Sequence, residues 1–197
     1  MLKRAFDFLS SLFALILLSP FFLIIALAIK ITSPGPVFYK GKRLGKGGKL
    51  FCMHKFRSMV VDADKVGTDL TKYNDQRITK IGKFLRKTKI DEWANLIDVL
   101  KGDMSIVGPR PESPNYAQYY DERQKHVLDV KPGITGLAQL QNRREDIKLK
   151  DKTNPDEYYI KELMPKKLEI DLYYVEKGNF LMDIAIIIKT FFPSDNE

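Results

Sequence analysis

The chain has 197 residues, 44% of them hydrophobic and 29% charged. That is enough apolar material for one folded domain with an appendage, and too much charge for a protein made mostly of membrane spans. A net charge of +8 points to an anionic partner, whether nucleic acid, lipid headgroups or a phosphorylated substrate. The lone cysteine, Cys52, excludes an internal disulfide and, with only His54 and His126 beside it, argues against a Cys/His zinc site. It reads as a small buried hydrophobe in a reducing compartment.

The first element is apolar. Leu9 to Ile29 is a run of 21 residues without a charge, long enough to cross a bilayer. Lys3 and Arg4 precede it and Lys30 follows, so the positive-inside rule favours neither orientation. Ser33-Pro34-Gly35 comes next instead of a small-x-small cleavage site, which argues against a secretory signal. Ser19-Pro20 falls in the middle of the run. Pro20 has no N–H and presses on the carbonyl of Ile16, which kinks a helix, and the Ser19 hydroxyl can bond a carbonyl freed in this way. The roughly ten residues on each side cover about 15 Å, half the hydrocarbon core. A kinked spanning helix and a re-entrant hairpin with both ends on one face fit these residues equally well.

Residues 37–59 predict a β-hairpin, with Val37-Phe38-Tyr39 and Leu50 to Met59 as strands and the glycine-rich Gly41 to Gly48 between them. Gly45-Lys46-Gly47-Gly48 matches no complete phosphate-loop pattern and reads as a turn. Residues 60–76 read as a polar surface loop. Residues 77–100 read as helix in one or two pieces, stopped by Gly102. Ser105 to Pro114 reads as a proline-rich loop, 115–129 as a polar helix ended near Pro132-Gly133, and Ile134 to Leu140 as a short apolar run. Residues 141–156 are strongly charged and read as exposed, and 157–178 as a helix broken at Pro165. The tail from Phe180 to Phe192 fits either core or the membrane interface.

The chemistry concentrates at Arg86-Lys87-Thr88-Lys89-Ile90-Asp91-Glu92-Trp93. Two adjacent carboxylates follow a basic cluster and precede an apolar helical run. With Thr88 as N-cap, Asp91 falls in a first helical turn, where the dipole favours its ionised form. Acidic capping alone would explain that much. The context adds Gly108-Pro109-Arg110-Pro111, which fixes one guanidinium between two rigid prolines, with Lys55 and Arg57 on the second strand. A carboxylate among cations is what phosphoryl transfer requires: the cations neutralise developing charge, and the carboxylate attacks phosphorus or holds Mg²⁺. A glycosidase pair fits poorly, because neighbouring helical residues point about 100° apart.

The chain resembles the bacterial sugar transferases, the monotopic phosphoglycosyl transferases. The landmarks are Lys3-Arg4-x-Phe6-Asp7, Leu18-Ser19-Pro20, Ser33-Pro34-Gly35-Pro36, Lys55-Phe56-Arg57-Ser58-Met59, Arg77-Ile78-Thr79-Lys80-Ile81-Gly82, Leu85-Arg86-Lys87-Thr88 and Asp91-Glu92. They continue through Val99-Leu100-Lys101-Gly102-Asp103-Met104-Ser105, Val107-Gly108-Pro109-Arg110-Pro111 and Lys131-Pro132-Gly133-Ile134-Thr135-Gly136. The resemblance implies an α+β fold in two parts. Residues 1–32 would form a re-entrant membrane helix hairpin broken at Ser19-Pro20. Residues 33–197 would form a small, mostly helical cytosolic or interfacial catalytic domain with a short β-hairpin and interfacial amphipathic helices.

The activity implied is transfer of a sugar 1-phosphate from a UDP-sugar to undecaprenyl phosphate, a polyprenyl phosphate, with release of UMP. Asp91 would be the nucleophile, forming an aspartyl-phosphosugar, with Glu92 assisting and Mg²⁺ held by Asp91. Lys55, Arg57, Arg86 and Pro109-Arg110-Pro111 would bind substrate. The location implied is the cytoplasmic face of the bacterial inner membrane, among phospholipids and without nucleic acid. A homodimer and downstream glycosyltransferases are the protein partnerships such an enzyme would have. There are departures from the family pattern. Trp93-Ala94-Asn95 stands where the family usually has leucine, proline and glutamine, Lys89-Ile90 where it usually has serine-leucine, and Gln141-Asn142-Arg143-Arg144 where Asn-Gly-Arg-Asn is common. Two rival functions remain: a membrane-anchored adaptor for anionic surfaces, and a one-step transferase whose acidic pair only holds Mg²⁺.

Overall fold

A computed structural model of the chain describes residues 2–67, 70–71, 75–143, 145–150 and 152–192. Positions 68–69 and 72–74 of the expected surface loop, and Arg144 and position 151 of the charged segment, lie outside the described residues.

Helix α1 (Leu2–Thr32) is 31 residues long, about 46 Å at 1.5 Å per residue. The sequence predicts a break at Ser19-Pro20, yet α1 stays helical through both residues. The Ser19 hydroxyl donates to the carbonyl of Ile16 at 2.8 Å, which satisfies the acceptor that Pro20 cannot reach. The middle of α1 is bare: Phe13, Ile16, Leu17, Leu23 and Ile24 are all more than half exposed. Such a surface calls for an apolar cover, and α1 is long and apolar enough to cross a membrane.

Both ends of α1 dock on the rest of the chain. At the start, Arg4 donates to the carbonyls of Val99 and Leu100, at 2.6 and 2.9 Å. Buried Asp7 accepts from the Ser105 hydroxyl and the Ile106 N–H. Lys3 pairs with Asp183 at 2.6 Å. At the far end, Ile29 is fully buried in a cluster with Phe56, Leu85 and Ala94, and the rings of Phe22 and Phe56 meet edge to face at 4.9 Å.

The hairpin forms from β1 (Phe38–Leu44) and β2 (Leu50–Phe56), antiparallel with Phe38 opposite Phe56 and Leu44 opposite Leu50. β1 runs through residues 41–44, which the glycine content assigned to the connection. The turn is tighter, closed by Gly45 N–H to the Lys49 carbonyl at 2.8 Å. Met53 and His54, on opposite faces of β2, are both covered, whereas Cys52 is exposed, not buried as expected.

Two helices and a short 3₁₀ segment make the catalytic-looking centre: α2 (Lys80–Lys87), the 3₁₀ turn Ile90–Ala94 and α3 (Asn95–Lys101). Thr79 caps α2, accepting from the Gly82 N–H at 3.0 Å. Thr88 therefore does not cap the segment that carries Asp91. It ends α2, with its hydroxyl donating to the Phe84 and Leu85 carbonyls. Lys89 then turns the chain with a φ of 57°. Gly102 stops α3 in the left-handed region, as expected.

The predicted proline-rich loop contains β3 (Ser105–Val107), which pairs in parallel with β4 (Gly133–Thr135). Between them lie α4 (Pro114–Ala117) and a 3₁₀ stretch Gln124–Asp129 in place of one polar helix. The chain continues through α5 (Leu137–Gln141), α6 (Glu145–Leu149), α7 (Pro155–Tyr158), a π turn at Tyr159–Leu163, α8 (Met164–Lys177) and α9 (Phe180–Phe191). Helix runs straight into Pro165 without a break, because the preceding π turn absorbs the disturbance. Tyr116, Tyr120, Leu163, Leu168 and Leu172 form the largest core, while Val107, Leu140, Tyr174 and Ile186 seat α9 on the β3–β4 pair.

Candidate active site

The acidic pair sits where the hairpin, the 90–94 turn and the loop after β3 converge. Ile90 and Ala94 anchor that turn in the same apolar cluster as Ile29 of α1, which leaves Asp91 and Glu92 facing the cations. Glu92 Oε1 receives Lys55 Nζ from β2 and an Arg110 Nη from the Pro109–Pro111 turn, each at 2.8 Å. Two close prohibitions fix the backbone that delivers Arg110. A Cβ on Gly108 would lie 2.4 Å from the Lys131 carbonyl, and one on Gly133 would lie 2.1 Å from the Gly108 nitrogen. Only glycine lets the two chains close on each other here, and Gly133 N–H reaches the Pro109 carbonyl at 2.8 Å.

The two carboxylates differ in kind. Burial alone would raise the Glu92 carboxyl, but Arg110 and Lys55 outweigh it and hold it well below the usual carboxylate range. Burial pushes the Asp91 carboxyl up; Lys55 opposes this, neighbouring Glu92 adds to it, and Arg86 and Lys89 oppose it. Burial likewise pushes the Lys55 ammonium down, with Glu92 pulling the other way. A helix dipole does not account for Asp91, because the 3₁₀ turn has only five residues. Asp91 is 5% exposed, and its Oδ1 has no hydrogen-bond partner among the described residues. Glu92 is thus a tied structural anion, whereas Asp91 keeps a free carboxylate oxygen in a cationic setting.

The sequence-predicted residues separate on this geometry. Lys55, Arg110, Asp91 and Glu92 come together. Arg86 contributes charge to Asp91 and donates to the Thr71 hydroxyl at 2.7 Å. Arg57 is placed elsewhere: its guanidinium donates to the Ser33, Pro34 and Pro36 carbonyls and to the Ser33 hydroxyl. It ties down the chain as it leaves α1. Pro109 and Pro111 frame Arg110, and Ser19-Pro20 lies in the exposed middle of α1.

Lys89, named in sequence only as part of the basic stretch, reaches Asp91 with its charge, and Glu112, which directly follows the Pro-Arg-Pro turn, had no sequence expectation. Position next to a rigid turn was the available signal for Glu112. Among the described residues no group of three or more His, Cys, Asp or Glu could hold a metal ion. That does not count against Mg²⁺, which takes one or two carboxylates and completes its shell with water and substrate phosphate. The unpartnered Asp91 Oδ1 fits such a ligand.

The sequence model of one family, described as bacterial sugar transferase, matches residues 1–194. A UDP-glucose:undecaprenyl-phosphate glucose-1-phosphate transferase of Escherichia coli (strain K12) is 41% identical over 196 residues, which cover 98% of this chain and 40% of that protein. Exopolysaccharide production protein PSS of Rhizobium leguminosarum bv. phaseoli is 42% identical, over 96% of this chain and 92% of its own length. A UDP-N-acetylgalactosamine-undecaprenyl-phosphate N-acetylgalactosaminephosphotransferase of Aeromonas hydrophila is 36% identical, over 96% of this chain and 42% of its own. The chain thus spans about two fifths of the first and third relatives and nearly all of the second.

Proposed function

This chain belongs to the bacterial sugar transferase family, and we propose that it moves a sugar 1-phosphate from a UDP-sugar to undecaprenyl phosphate through a covalent aspartyl intermediate. Such a step begins membrane assembly of an exopolysaccharide or related glycan. The observation that carries the reading is the contrast inside the acidic pair: Glu92 is bound by two cations, while the buried Asp91 Oδ1 has no hydrogen-bond partner among the described residues and feels the charges of Lys55, Arg86 and Lys89.

An Asp91 carboxylate oxygen attacks the sugar-bearing phosphorus. The bond from that phosphorus to the bridging oxygen breaks, and UMP leaves with the bridging oxygen and its electron pair. An oxygen of undecaprenyl phosphate then attacks the same phosphorus and releases Asp91 as a carboxylate, giving undecaprenyl-diphospho-sugar. Lys55 and Arg110, held by Glu92, neutralise charge on the diphosphate. Asp91 is the residue that would hold Mg²⁺, and the ion would add further charge neutralisation on the phosphates.

Position supports the same reading. The 90–94 turn shares its apolar cluster with Ile29, at the end of the bare stretch of α1. On this reading the acidic pair lies beside the membrane surface, where a lipid-borne phosphate meets a soluble nucleotide sugar. Both ends of α1 dock on one body, which supports a monotopic, re-entrant arrangement, and a soluble nucleotide-sugar donor would assign that body to the cytoplasmic face of the inner membrane.

The test is a UDP-sugar panel offered to detergent-solubilised protein without acceptor. UMP should appear in an amount no greater than the enzyme present, with a sugar-phosphate adduct on Asp91 by mass spectrometry. Asp91→Asn should form none, and its turnover should fall by more than about a thousandfold. UMP released only when acceptor is present, with no adduct, would instead establish the one-step route.

A further inference from the structure

We propose that a buried polar chain, Lys167–Tyr159–Glu112, with the charge of Asp171 near Lys167, sets the position of Arg110, so that Tyr159 and Glu112 are positioning residues for the transfer reaction; this rests on the function proposed above. Arg110 has two sides. One grips Glu92, and the other borders a small cavity walled by Glu112, Tyr120, Tyr159, Lys167 and Asp171. Glu112 follows Arg110 by two residues, across the rigid Pro111, and both its carboxylate oxygens are committed. Oε1 accepts from the Ser113 N–H at 2.9 Å, and Oε2 accepts from the Tyr159 hydroxyl. The Tyr159 oxygen in turn accepts from Lys167 Nζ at 3.1 Å, and the same ammonium lies 4.9 Å from the Tyr159 ring centre.

This chain is costly. Lys167 is 6% exposed and Asp171, one turn further along α8, is 5% exposed. Burial pushes the Asp171 carboxyl up to about 7 against the opposing charge of Lys167. Two buried charges seldom stabilise a fold better than apolar side chains of the same size. Their use here is to specify a position, not to fill a core.

The backbone is adjusted to bring the chain together. Tyr159 and Lys167 are eight residues apart, which on an ideal α-helix would leave them about 80° out of line. The π turn at Tyr159–Leu163, closed by Met164 N–H to the Tyr159 carbonyl, absorbs one residue and brings them to within about 20°. Without that turn, Lys167 would not face the Tyr159 hydroxyl.

The experiment is a double-mutant cycle on UMP release, using Tyr159→Phe and Arg110→Ala. Tyr159→Phe keeps the ring over Lys167 and removes only the hydroxyl. We expect it to lower kcat/KM about tenfold in the native background, and to change nothing further once Arg110 is alanine. Losses that multiply independently, or no loss at all, would overturn the proposal. A second reading needs no activity: peptide-level mass spectrometry of phenylglyoxal modification should find Arg110 reacting several-fold faster in Tyr159→Phe. An unchanged rate would also overturn it. If the native protein releases no UMP from any UDP-sugar, the proposed function fails, and the Arg110 modification rate still decides the positioning role.

Discussion

At the scale of single residues, the site depends on making neighbouring carboxylates unlike. Asp91 and Glu92 share a turn and a set of cations, yet burial raises one while Arg110 and Lys55 hold the other low. Adjacent acids pushed apart in this way can take separate roles, one reactive and one orienting. The sign of a further change follows. Asp91 attacks only when ionised, so the rate of the first step should fall on the acid side as its carboxyl takes up a proton. That acid limb should lie above the range of an exposed aspartate, because burial raises the group. Lys55 opposes the rise, so Lys55→Met should move the limb to still higher pH as well as slowing the reaction. A rapid-quench pH profile of the UMP burst, native against Lys55→Met, reads this directly. A limb that stays put or moves down would show that another group controls the attack.

At the scale of elements, the short helices hold together through borrowed partners. α3 has seven residues, and its last carbonyls, at Val99 and Leu100, are closed by the Arg4 guanidinium from α1. A forked cation at a helix C-terminus is favoured both by the helix dipole and by two hydrogen bonds. Arg4→Ala should cost about 2–3 kcal/mol and lower the thermal midpoint by roughly 4–12 °C. Arg4→Lys should recover only part of this, since a shorter side chain must serve both carbonyls from one nitrogen instead of two. Thermal unfolding of the three proteins in nanodiscs measures it.

The same dependence explains what the sequence could and could not reveal. Patterns that are local in the chain were readable: the apolar run, the strand pair around the glycine turn, the stop at Gly102 and the acidic pair among cations. Features decided by distant partners were not. β3 and β4 are three residues each, paired across the whole segment between Val107 and Gly133, and carry no periodicity of their own. Thr88 looks like a cap in sequence, but Thr79 takes that role because its hydroxyl meets the Gly82 N–H. Arg57 has the chemistry of a phosphate ligand, and only the fold shows its guanidinium occupied by the turn at residues 33–36. The π turn at Tyr159 is invisible without the backbone, although Pro165 marks the place.

At the scale of the whole molecule, the question is how a 31-residue apolar helix meets a bilayer while held at both ends. A straight helix of about 46 Å that crosses a 30 Å hydrocarbon layer puts its ends on opposite faces. Here Lys3, Arg4 and Asp7 bind α3, β3 and α9, while Phe22 and Ile29 pack on the hairpin and α2, all within one folded body. Tearing either end free would leave buried Asp7 or the Ile29 cluster without partners, at a cost of several kcal/mol. Both ends should therefore stay on the body's side, with only the bare middle entering the lipid.

Single cysteines at Leu2 and Thr32, both exposed, test this in a background where exposed Cys52 is serine. A membrane-impermeant maleimide should label both positions in inverted vesicles and neither in intact spheroplasts. Labelling of position 2 from the periplasmic side would mean that α1 spans. Pro20→Ala restores the missing N–H opposite Ile16 and removes the ring that disfavours a straight helix. The straighter α1 should compete with docking of the N-terminal arm, so that part of the population becomes labelled at position 2 from outside. Because Asp91 sits at the docked C-terminal end, that population should still form the phosphosugar adduct. Activity and topology would then be separable in one protein.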